Sequence, residues 1–479
     1  MSDTLISFKV ENYRSFGDEQ RLTMIPGPVR NHPEHIFGRG DSRQLCAAMV
    51  FGANASGKTN LVRAMYEARA MVVDGAPIGA GEYDRASDRD RSSEPTGFEF
   101  TFRTGDEILV YGFEIVLSRN RIESEWLDRL GPDGAVSVFL REGDEVSTDL
   151  RLEGEDRMRF DVYSEEATDL SRLLIRTLSR GSFREGSGMS AVSATMDWLS
   201  RSLIVIPAGG IPMTADRSRG LLDRIMSSGT GVTSVSFRRI GSEESGIPRT
   251  VIDRVSQDLA EGTTAELRGS AGVFRVSREA GGLVLEKAVF DHGGREFDFN
   301  EESDGTRRLF DLSSILDGGS GDGITFVVDE LDRSMHPQLT RRFVGDFLRM
   351  AAGCERQLIA TVHESRLMDL NLLRRDEIWF VDRPGMGDSQ LYSLEDFAER
   401  GDRRVDRSYM DGRYGAVPCF RRLFPDLERS HEAHQQLHRP RRCPEERDQE
   451  RLRDLRGVQD RDQLHERPLG IVRVPGHGS

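Results

Sequence analysis

The chain has 479 residues, of which 31% are charged and 37% hydrophobic, with a formal net charge of -15. No apolar run approaches the roughly 18 residues that a membrane helix needs, and the first residues lack the layout of a signal peptide, so we expect a cytoplasmic protein without membrane contact. The acidic balance excludes a surface that is basic as a whole, and the four scattered cysteines without a CxxC pair indicate neither a disulfide framework nor a zinc site.

Alternating apolar residues predict strands at the start of the chain. Residues 5–10 and 21–24 flank a turn at Gly17-Asp18 and read as a hairpin. A second pair of strands, 98–102 and 111–115, meets around a turn at Gly105-Asp106. Both hairpins lie close in sequence to the most informative segment of the chain.

That segment is Gly52 to Thr59, a complete G-x-x-x-x-G-K-[ST] phosphate loop between an apolar strand, 47–51, and a helical pattern, 60–66. Small residues let backbone amides surround phosphates at a helix N-terminus. Lys58 is predicted to contact the β- and γ-phosphates, and the Thr59 hydroxyl to hold Mg²⁺. Only three of the 66 basic residues are lysines, which makes a lysine at this position unlike the rest of the chain.

The character of the chain changes after the second hairpin. Amphipathic segments separated by Gly- and Ser-rich joints predict a mainly helical insertion over 131–278. Strand-like alternation returns over 275–299, and the apolar runs 324–328 and 357–361 predict buried parallel strands. After about residue 420 the apolar content falls, and we expect the tail, 421–479, to be flexible.

Two acids follow the apolar run at 324–328. If this strand lies beside the phosphate loop, Asp329 can orient the Mg²⁺ shell and Glu330 can polarise the attacking water. A buried strand that ends in a solvated acidic turn is the ordinary alternative. The turn at Ser303 and Gly305, before an apolar helix, is either a second anion site or a plain N-terminal helix cap.

The order of these segments resembles the ABC-type ATPase heads of transporters, SMC proteins and recombination-repair ATPases. The resemblance makes 52–59 the Walker A motif, 303–306 a divergent signature motif, 331–332 the D-loop and His363 the switch histidine that senses the γ-phosphate. It implies catalytic roles for Glu330, His363 and Lys58, and Mg²⁺ ligands in Thr59 and Asp329. It further implies ATP contacts from Gly52, Asn54, Ser56, Gly57, Lys58, Thr59, Asn60, Arg14, Ser303 and Gly305. For Arg14 an exposed strand-end arginine is an equal alternative, and no glutamine-loop residue is identified.

Further segments narrow the resemblance: 12–16, 302–307, 329–332 with His336-Pro337, 376–380 and 412–418. They are similar to the ABC-like AAA ATPases of prokaryotic abortive-infection and other anti-phage systems, relatives of the OLD and RloC ATPases. This likeness covers about residues 1–420. It implies an α/β P-loop NTPase of the ABC/SMC-head type, with a mixed sheet flanked by helices. The predicted parts are an ATPase lobe, 1–130; the insertion, 131–278; a second lobe, 279–420; and the tail, 421–479.

By this resemblance the chain is a Mg²⁺-dependent ATPase that dimerises on ATP and regulates a separate effector, such as a nuclease or RloB-like protein, in anti-phage defence. A DNA-repair or recombination-type head acting on nucleic acid is the alternative, although no heptad repeat supports long coiled coils. A transporter subunit is disfavoured because the insertion before Ser303 is long. A self-contained toxin is a further alternative, since Arg429 and His434 have the R-x4-H spacing of HEPN ribonucleases; strands for a TOPRIM nuclease are missing from the tail pattern.

Overall fold

A computed structural model describes part of the chain. The described residues are 3–85, 90–132, 134–166, 168–184, 186–210, 222–223, 226, 229–259, 264–269, 272–279, 282–317, 323–385, 387–397 and 404–417. The chain divides into two compact units, Met1–Val417 and Pro418–Ser479. The second unit lies outside the described residues, and with it the predicted flexible tail and the Arg429 to His434 pattern.

A six-stranded sheet carries the phosphate loop. In spatial order its strands are β11 (Leu203–Ile206), β17 (Thr325–Val328), β18 (Gln357–Thr361), β5 (Ala47–Phe51), β19 (Ile378–Asp382) and β20 (Gln390–Ser393). Neighbouring strands are parallel except for the antiparallel pair β19 and β20. The phosphate-loop strand β5 therefore lies in the interior of a largely parallel sheet.

Two antiparallel sheets accompany it. The seven-stranded sheet has the order β10 (Glu145–Ser147), β9 (Gly134–Glu142), β8 (Arg121–Gly131), β7 (Glu107–Val116), β6 (Thr96–Thr104), β1 (Thr4–Glu11) and β2 (Gln20–Thr23). The other has the order β12 (Ser234–Arg239), β15 (Gly282–Asp291), β14 (Gly272–Glu279) and β13 (Thr264–Gly269), with β16 (Glu296–Asp298) paired to β15. A two-residue ladder joins β3 (Ile36–Phe37) and β4 (Gln44–Leu45).

The helices pack around these sheets. They are α1 (Lys58–Val73), α2 (Gly154–Glu166), α3 (Leu174–Leu178), α4 (Ser190–Asp197), α5 (Arg249–Asp258), α6 (Asp304–Leu312), α7 (Pro337–Ala351) and α8 (Val405–Met410). Among the helices of the described residues, none has both the length and the apolar character needed to cross a bilayer.

Strand β5 separates two hydrophobic cores. Ala48 and Val50 belong to the core that contains α1 and the seven-stranded sheet. Ala47, Met49 and Phe51 belong to the core that contains α6 and α7. Successive side chains of a strand point to opposite faces, so the parallel sheet is covered on both sides. This explains the uninterrupted apolar sequence of β5 and confirms the predicted α/β fold with a mixed sheet flanked by helices.

One expectation is corrected by the fold. The segment 131–278 is not mainly helical, because its described parts contain strands β9 to β14 as well as helices. The alternation of apolar and polar residues in these strands is short and is interrupted by Gly- and Ser-rich joints, so it is hard to recognise in the sequence. Strand β18 lies between the phosphate-loop strand β5 and β17, the strand that precedes Asp329.

Candidate functional site

The phosphate loop adopts a backbone that its sequence permits. Gly52 has φ 156°, Ala55 has φ 65° and Gly57 has φ 116°. A β-carbon at Gly52 would come within 2.3 Å of the Val381 carbonyl oxygen, and one at Gly57 would meet two serine hydroxyls. Glycine is required at both positions because the backbone conformation and the lack of space exclude a side chain.

Lys58 is buried at the first position of α1. Its Nζ donates hydrogen bonds to the carbonyl oxygens of Gly52 (2.7 Å) and Ala53 (3.0 Å). Burial lowers the pKa of Lys58, while nearby carboxylates, Asp329 foremost, oppose this shift. The ammonium group thus occupies the concave side of its own loop, where phosphate oxygens are its natural alternative acceptors.

A hydrogen-bonded brace holds the loop from behind. Asn60 Nδ2 donates to Ser15 Oγ (2.8 Å), and Ser15 Oγ lies 2.8 Å from Ser389 Oγ. The Ser389 hydroxyl donates to the Ser56 carbonyl oxygen (2.5 Å). Asn60 was predicted to contact nucleotide, but its amide here serves the brace. Ser15 and Ser389 were missed because they lie far from the loop in sequence.

Two other predicted loop contacts differ in their surroundings. Ser56 Oγ is buried and has no hydrogen-bond partner within the part of the chain that is described. Asn54 is exposed at the tip of the loop. A buried, unpartnered hydroxyl beside a ring of backbone amides fits an anion ligand.

Asp329 lies at the end of β17 and reaches the phosphate loop across β18. Its Oδ1 is 3.4 Å from Thr59 Oγ1 and accepts a 2.5 Å hydrogen bond from Thr361 Oγ1. Thr361 Oγ1 in turn accepts the Glu330 backbone N–H at 2.8 Å. Hydroxyl and carboxylate oxygens are the ligands that Mg²⁺ prefers, so Thr59 and Asp329 fit the predicted metal position. Thr361 was missed as a site residue.

Glu330 stands in a left-handed backbone conformation, with φ 49°. Its Oε1 is 4.0 Å from His363 Nε2, and its Oε2 is 3.6 Å from Arg333 Nη1. The carboxylate is partly exposed, with 32% of the side chain accessible. Positive φ is uncommon for a non-glycine residue, so the turn after β17 holds Glu330 in a constrained backbone conformation.

The predicted switch histidine, His363, is positioned through its backbone. Asp332 Oδ2 accepts the N–H groups of His363 and Glu364, each at 2.7 Å. The His363 ring is exposed. The predicted D-loop residue therefore fixes the loop that carries the predicted switch histidine.

Ser303 caps the N-terminus of α6. Its Oγ accepts the Thr306 N–H at 3.2 Å and lies 2.8 Å from Thr306 Oγ1. A β-carbon at Gly305 would come within 2.7 Å of the Ser334 carbonyl oxygen. The N-cap alternative is thus observed, and Gly305 is required by close packing. The signature role of both residues stays a prediction.

Arg308 links α6 to the acidic end of β17. The buried guanidinium donates from Nη2 to the carbonyl oxygens of Asp329 and Glu330, both at 3.1 Å. Sequence reasoning missed this residue, although a basic residue on the apolar face of an amphipathic helix is a recognisable signal.

Arg14 has partners other than the loop. Its Nη2 forms a 2.5 Å ion pair with Glu82 Oε2, and its Nε donates to Tyr13 Oη at 3.3 Å. The neighbouring residue Ser15, rather than Arg14, contacts the phosphate-loop region. A phosphate role for Arg14 would require the Glu82 ion pair to open.

The comparison with protein families agrees with this site. Residues 236–369 match the family described as "AAA domain, putative AbiEii toxin, Type IV TA system". The matched segment contains Ser303, Asp329, Glu330 and His363. The matched segment is therefore similar to an AAA domain. The phosphate loop lies N-terminal to the matched segment, and no curated protein matches the chain in sequence.

The likeness of this chain to solved structures is weak. The crystal structure of an SmcHead bound to the C-winged helix domain of ScpA is 13% identical, with a TM-score of 0.35, and the match covers 81% of this chain and 97% of that chain. The SMC head domain from Thermotoga maritima is also 13% identical, with a TM-score of 0.30, covering 81% and 98%. The fold assignment therefore depends on the sheet and phosphate loop of this chain itself.

Proposed function

We propose that the chain binds Mg²⁺-ATP at the phosphate loop and hydrolyses it. The observation that carries this proposal is the approach of Thr59 Oγ1 to Asp329 Oδ1, 3.4 Å apart, on separate strand-end segments. These are two oxygen ligands of the type that Mg²⁺ takes, next to a buried lysine in a glycine-rich loop. When bound, the metal ion would neutralise charge on the phosphates.

The residues of the site have separable tasks. Lys58 would exchange its hydrogen bonds to the carbonyl oxygens of Gly52 and Ala53 for hydrogen bonds to phosphate oxygens. These bonds would be stronger, because the phosphate oxygens are charged and the carbonyl oxygens are neutral. Glu330 would accept the proton of the attacking water. The carboxylate of Glu330 is partly exposed and accessible to water, and it lies 3.6 Å from the Arg333 guanidinium.

ATP-dependent dimerisation is the second part of the proposal. Ser303 is exposed at the N-terminus of α6, where unpaired N–H groups and the helix dipole favour an anion. In an ABC-type arrangement this end would cap the nucleotide of a second copy. Each charge-assisted hydrogen bond to the γ-phosphate is worth about 1.5–3 kcal/mol, so hydrolysis would weaken the dimer.

The third part concerns the biological role. We infer that ATP turnover in the cytoplasm controls a separate effector, a nuclease or RloB-like protein, in an anti-phage system. The description of the matched family as a putative AbiEii toxin of a type IV toxin–antitoxin system supports the defence setting. The net charge of -15 favours a protein partner over a broad nucleic-acid surface.

The test compares two glutamate variants. Glu330 and Glu355 both have φ 49°, but Glu355 lies in the turn before β18, at the other edge of the sheet. Glu330→Gln should still bind ATP but should release no phosphate. It should also accumulate as a dimer, which gel filtration with light scattering measures. Glu355→Gln should behave as the parent. Lys58→Ala should lose ATP binding.

Different results overturn different parts. Equal turnover in Glu330→Gln and the parent removes Glu330 as the base. Retained ATP affinity in Lys58→Ala contradicts the loop assignment. A Glu330→Gln protein that stays monomeric with ATP contradicts the dimer. ATPase assays with DNA, RNA and a co-purified neighbouring gene product distinguish a nucleic-acid-stimulated head from a protein-controlled one.

A further inference from the structure

Three potential metal ligands lie together far from the phosphate loop. His32, Glu34 and His35 offer ligand atoms that are all within 4.8 Å of one another. The His35 carbonyl oxygen accepts the N–H of Cys46, the residue just before β5. Because the phosphate loop follows the other end of β5, this cluster lies at the opposite edge of the sheet.

Hydrogen bonding determines which nitrogen of His32 is free. His32 Nε2 is 2.9 Å from the Leu370 carbonyl oxygen, which can only accept, so Nε2 carries the hydrogen. The neutral ring then has a lone pair on Nδ1. That Nδ1 is 3.0 Å from Glu34 Oε1, another atom that can only accept when the carboxylate is ionised. Two facing acceptors of this kind can share a metal cation.

The same reasoning applies to His35. Its Nδ1 is 3.0 Å from Glu377 Oε2, which also accepts the Arg374 N–H at 2.8 Å. Nδ1 is therefore the protonated nitrogen, and the lone pair is on Nε2. The Glu377 side chain is fully buried, and its Oε1 has no hydrogen-bond partner in the described parts of the chain.

The two imidazole rings lie close together, with centroids 4.8 Å apart and an interplanar angle of 9°. Carboxyl groups of Glu34 and Glu377 lie beside the two rings, while the nearby Arg374 is paired with Asp376 (2.7 Å).

We propose that His32 Nδ1, His35 Nε2 and the Glu34 carboxylate bind a divalent transition metal of the Zn²⁺ class. Two imidazole nitrogens with one carboxylate suit such an ion better than Mg²⁺ or Ca²⁺, which take mainly oxygen ligands. The Leu370 carbonyl oxygen and the Glu377 carboxylate are the outer partners that orient metal-bound histidines.

The site has a structural rather than a catalytic task. It fastens the segment before β3 to the segment that leads into β19, through the contacts of His32 with Leu370 and of His35 with Glu377. The pattern His32-Pro33-Glu34-His35 is visible in the sequence. It was missed because only the cysteines were considered for zinc.

The test uses the full chain, with any affinity tag removed, after treatment with a chelator. Zn²⁺ and Co²⁺ are titrated into the parent, His32→Ala and Glu34→Gln, with Co²⁺ binding followed by visible absorption. His292→Ala is the matched control, because His292 Nε2 also lies beside a glutamate, Glu302, at 2.6 Å but has no second histidine there. Histidines of the tail are present in every variant and contribute equally.

The parent and His292→Ala should bind one more equivalent of Zn²⁺ than His32→Ala, and Glu34→Gln should lose at least about tenfold in affinity. Zn²⁺ should raise the thermal midpoints of the parent and of His292→Ala, but not that of His32→Ala. Equal stoichiometry, affinity and thermal shift in the parent and Glu34→Gln would overturn the proposal. Because Glu34 is exposed, its variant should fold and retain Mg²⁺-ATP turnover, so this result is independent of the ATPase proposal.

Discussion

The Thr361 hydroxyl donates a 2.5 Å hydrogen bond to Asp329 Oδ1. That oxygen is also the one nearest to Thr59 Oγ1, at 3.4 Å. The two residues end adjacent parallel strands, β18 and β17. The last residue of β18 therefore orients the Asp329 carboxylate, which follows β17, toward the phosphate loop, which follows β5.

Thr361→Val should weaken metal-dependent turnover, because it removes a hydrogen bond to a charged group worth about 1.5–3 kcal/mol. The expected fall in kcat at limiting Mg²⁺ is about 10- to 100-fold, with partial recovery at high Mg²⁺. Initial rates over a range of Mg²⁺ concentrations measure it. Thr361→Ser keeps the hydroxyl and should restore most activity.

Thr195→Val is the control for this substitution. Thr195 is fully buried, and its hydroxyl donates to the Ala191 carbonyl oxygen within α4. The control should leave the Mg²⁺ dependence unchanged. A Thr361→Val enzyme with the Mg²⁺ dependence of the parent would show that Asp329 keeps its position without this hydroxyl.

Arg308→Met should destabilise the fold and reduce turnover. The carbonyl oxygens of Asp329 and Glu330 would lose their buried donor, at a cost of about 1–3 kcal/mol, and the acidic segment would lose its anchor on α6. Urea unfolding and kcat are the two measurements. Arg307→Met, on the same helix and with a partly exposed side chain, should change neither by much.

The sequence predicted local structure better than contacts across the sheet. The first hairpin is confirmed, with Phe8 opposite Leu22, and so is the second, with Phe100 opposite Tyr111. Both follow from alternation within a few residues. The position of β18 between β17 and β5 could not be predicted this way, because strand order depends on packing between distant segments.

The same limit applies to the candidate site. The Gly52 to Thr59 loop was recognisable because its chemistry is contained in eight consecutive residues. Arg308 and Thr361 act on Asp329 and Glu330 through contacts between separate elements, and no local pattern reports such contacts. Ser303 shows the converse case, since its N-cap bond to Thr306 is local and was predicted as an alternative.

Gly305→Ala should displace the N-terminus of α6. Alanine is normally the better helix former, but here its β-carbon would come within 2.7 Å of the Ser334 carbonyl oxygen. Overpacking of this kind costs about 1–3 kcal/mol, so the thermal midpoint should fall by several degrees. ATP-dependent dimer formation should weaken as well, if α6 caps the nucleotide of a second copy.

Gly353→Ala tests the same substitution in open space. A β-carbon at Gly353 has no atom within 4 Å, so this variant should be as stable as the parent. Scanning calorimetry and gel filtration with ATP compare the two. If Gly305→Ala is as stable and as dimeric as Gly353→Ala, the close approach to Ser334 does not restrict residue 305.

Glu125 should make the stability of the seven-stranded sheet depend on pH. The side chain is fully buried on β8, where it accepts the Ile175 N–H (3.0 Å) and the Tyr111 hydroxyl (3.1 Å). Burial raises the pKa of Glu125 to about 7, although hydrogen bonds from the start of α3 and the charge of Arg141 lower it. The folded chain therefore binds this proton more tightly than the unfolded chain does.

Stability from this group is full below the unfolded-state pKa, about 4.3, and is lost as the pH rises toward 7. The loss is on the order of 3 kcal/mol. Glu125→Gln cannot ionise. As the pH rises from 5 to 8, its free energy of unfolding, measured in urea, should therefore increase relative to that of the parent by about this amount. Glu123→Gln, at a more exposed position on β8, should run parallel to the parent. Parallel curves for Glu125→Gln as well would mean that Glu125 ionises at its ordinary pKa and that burial on β8 does not hold its proton.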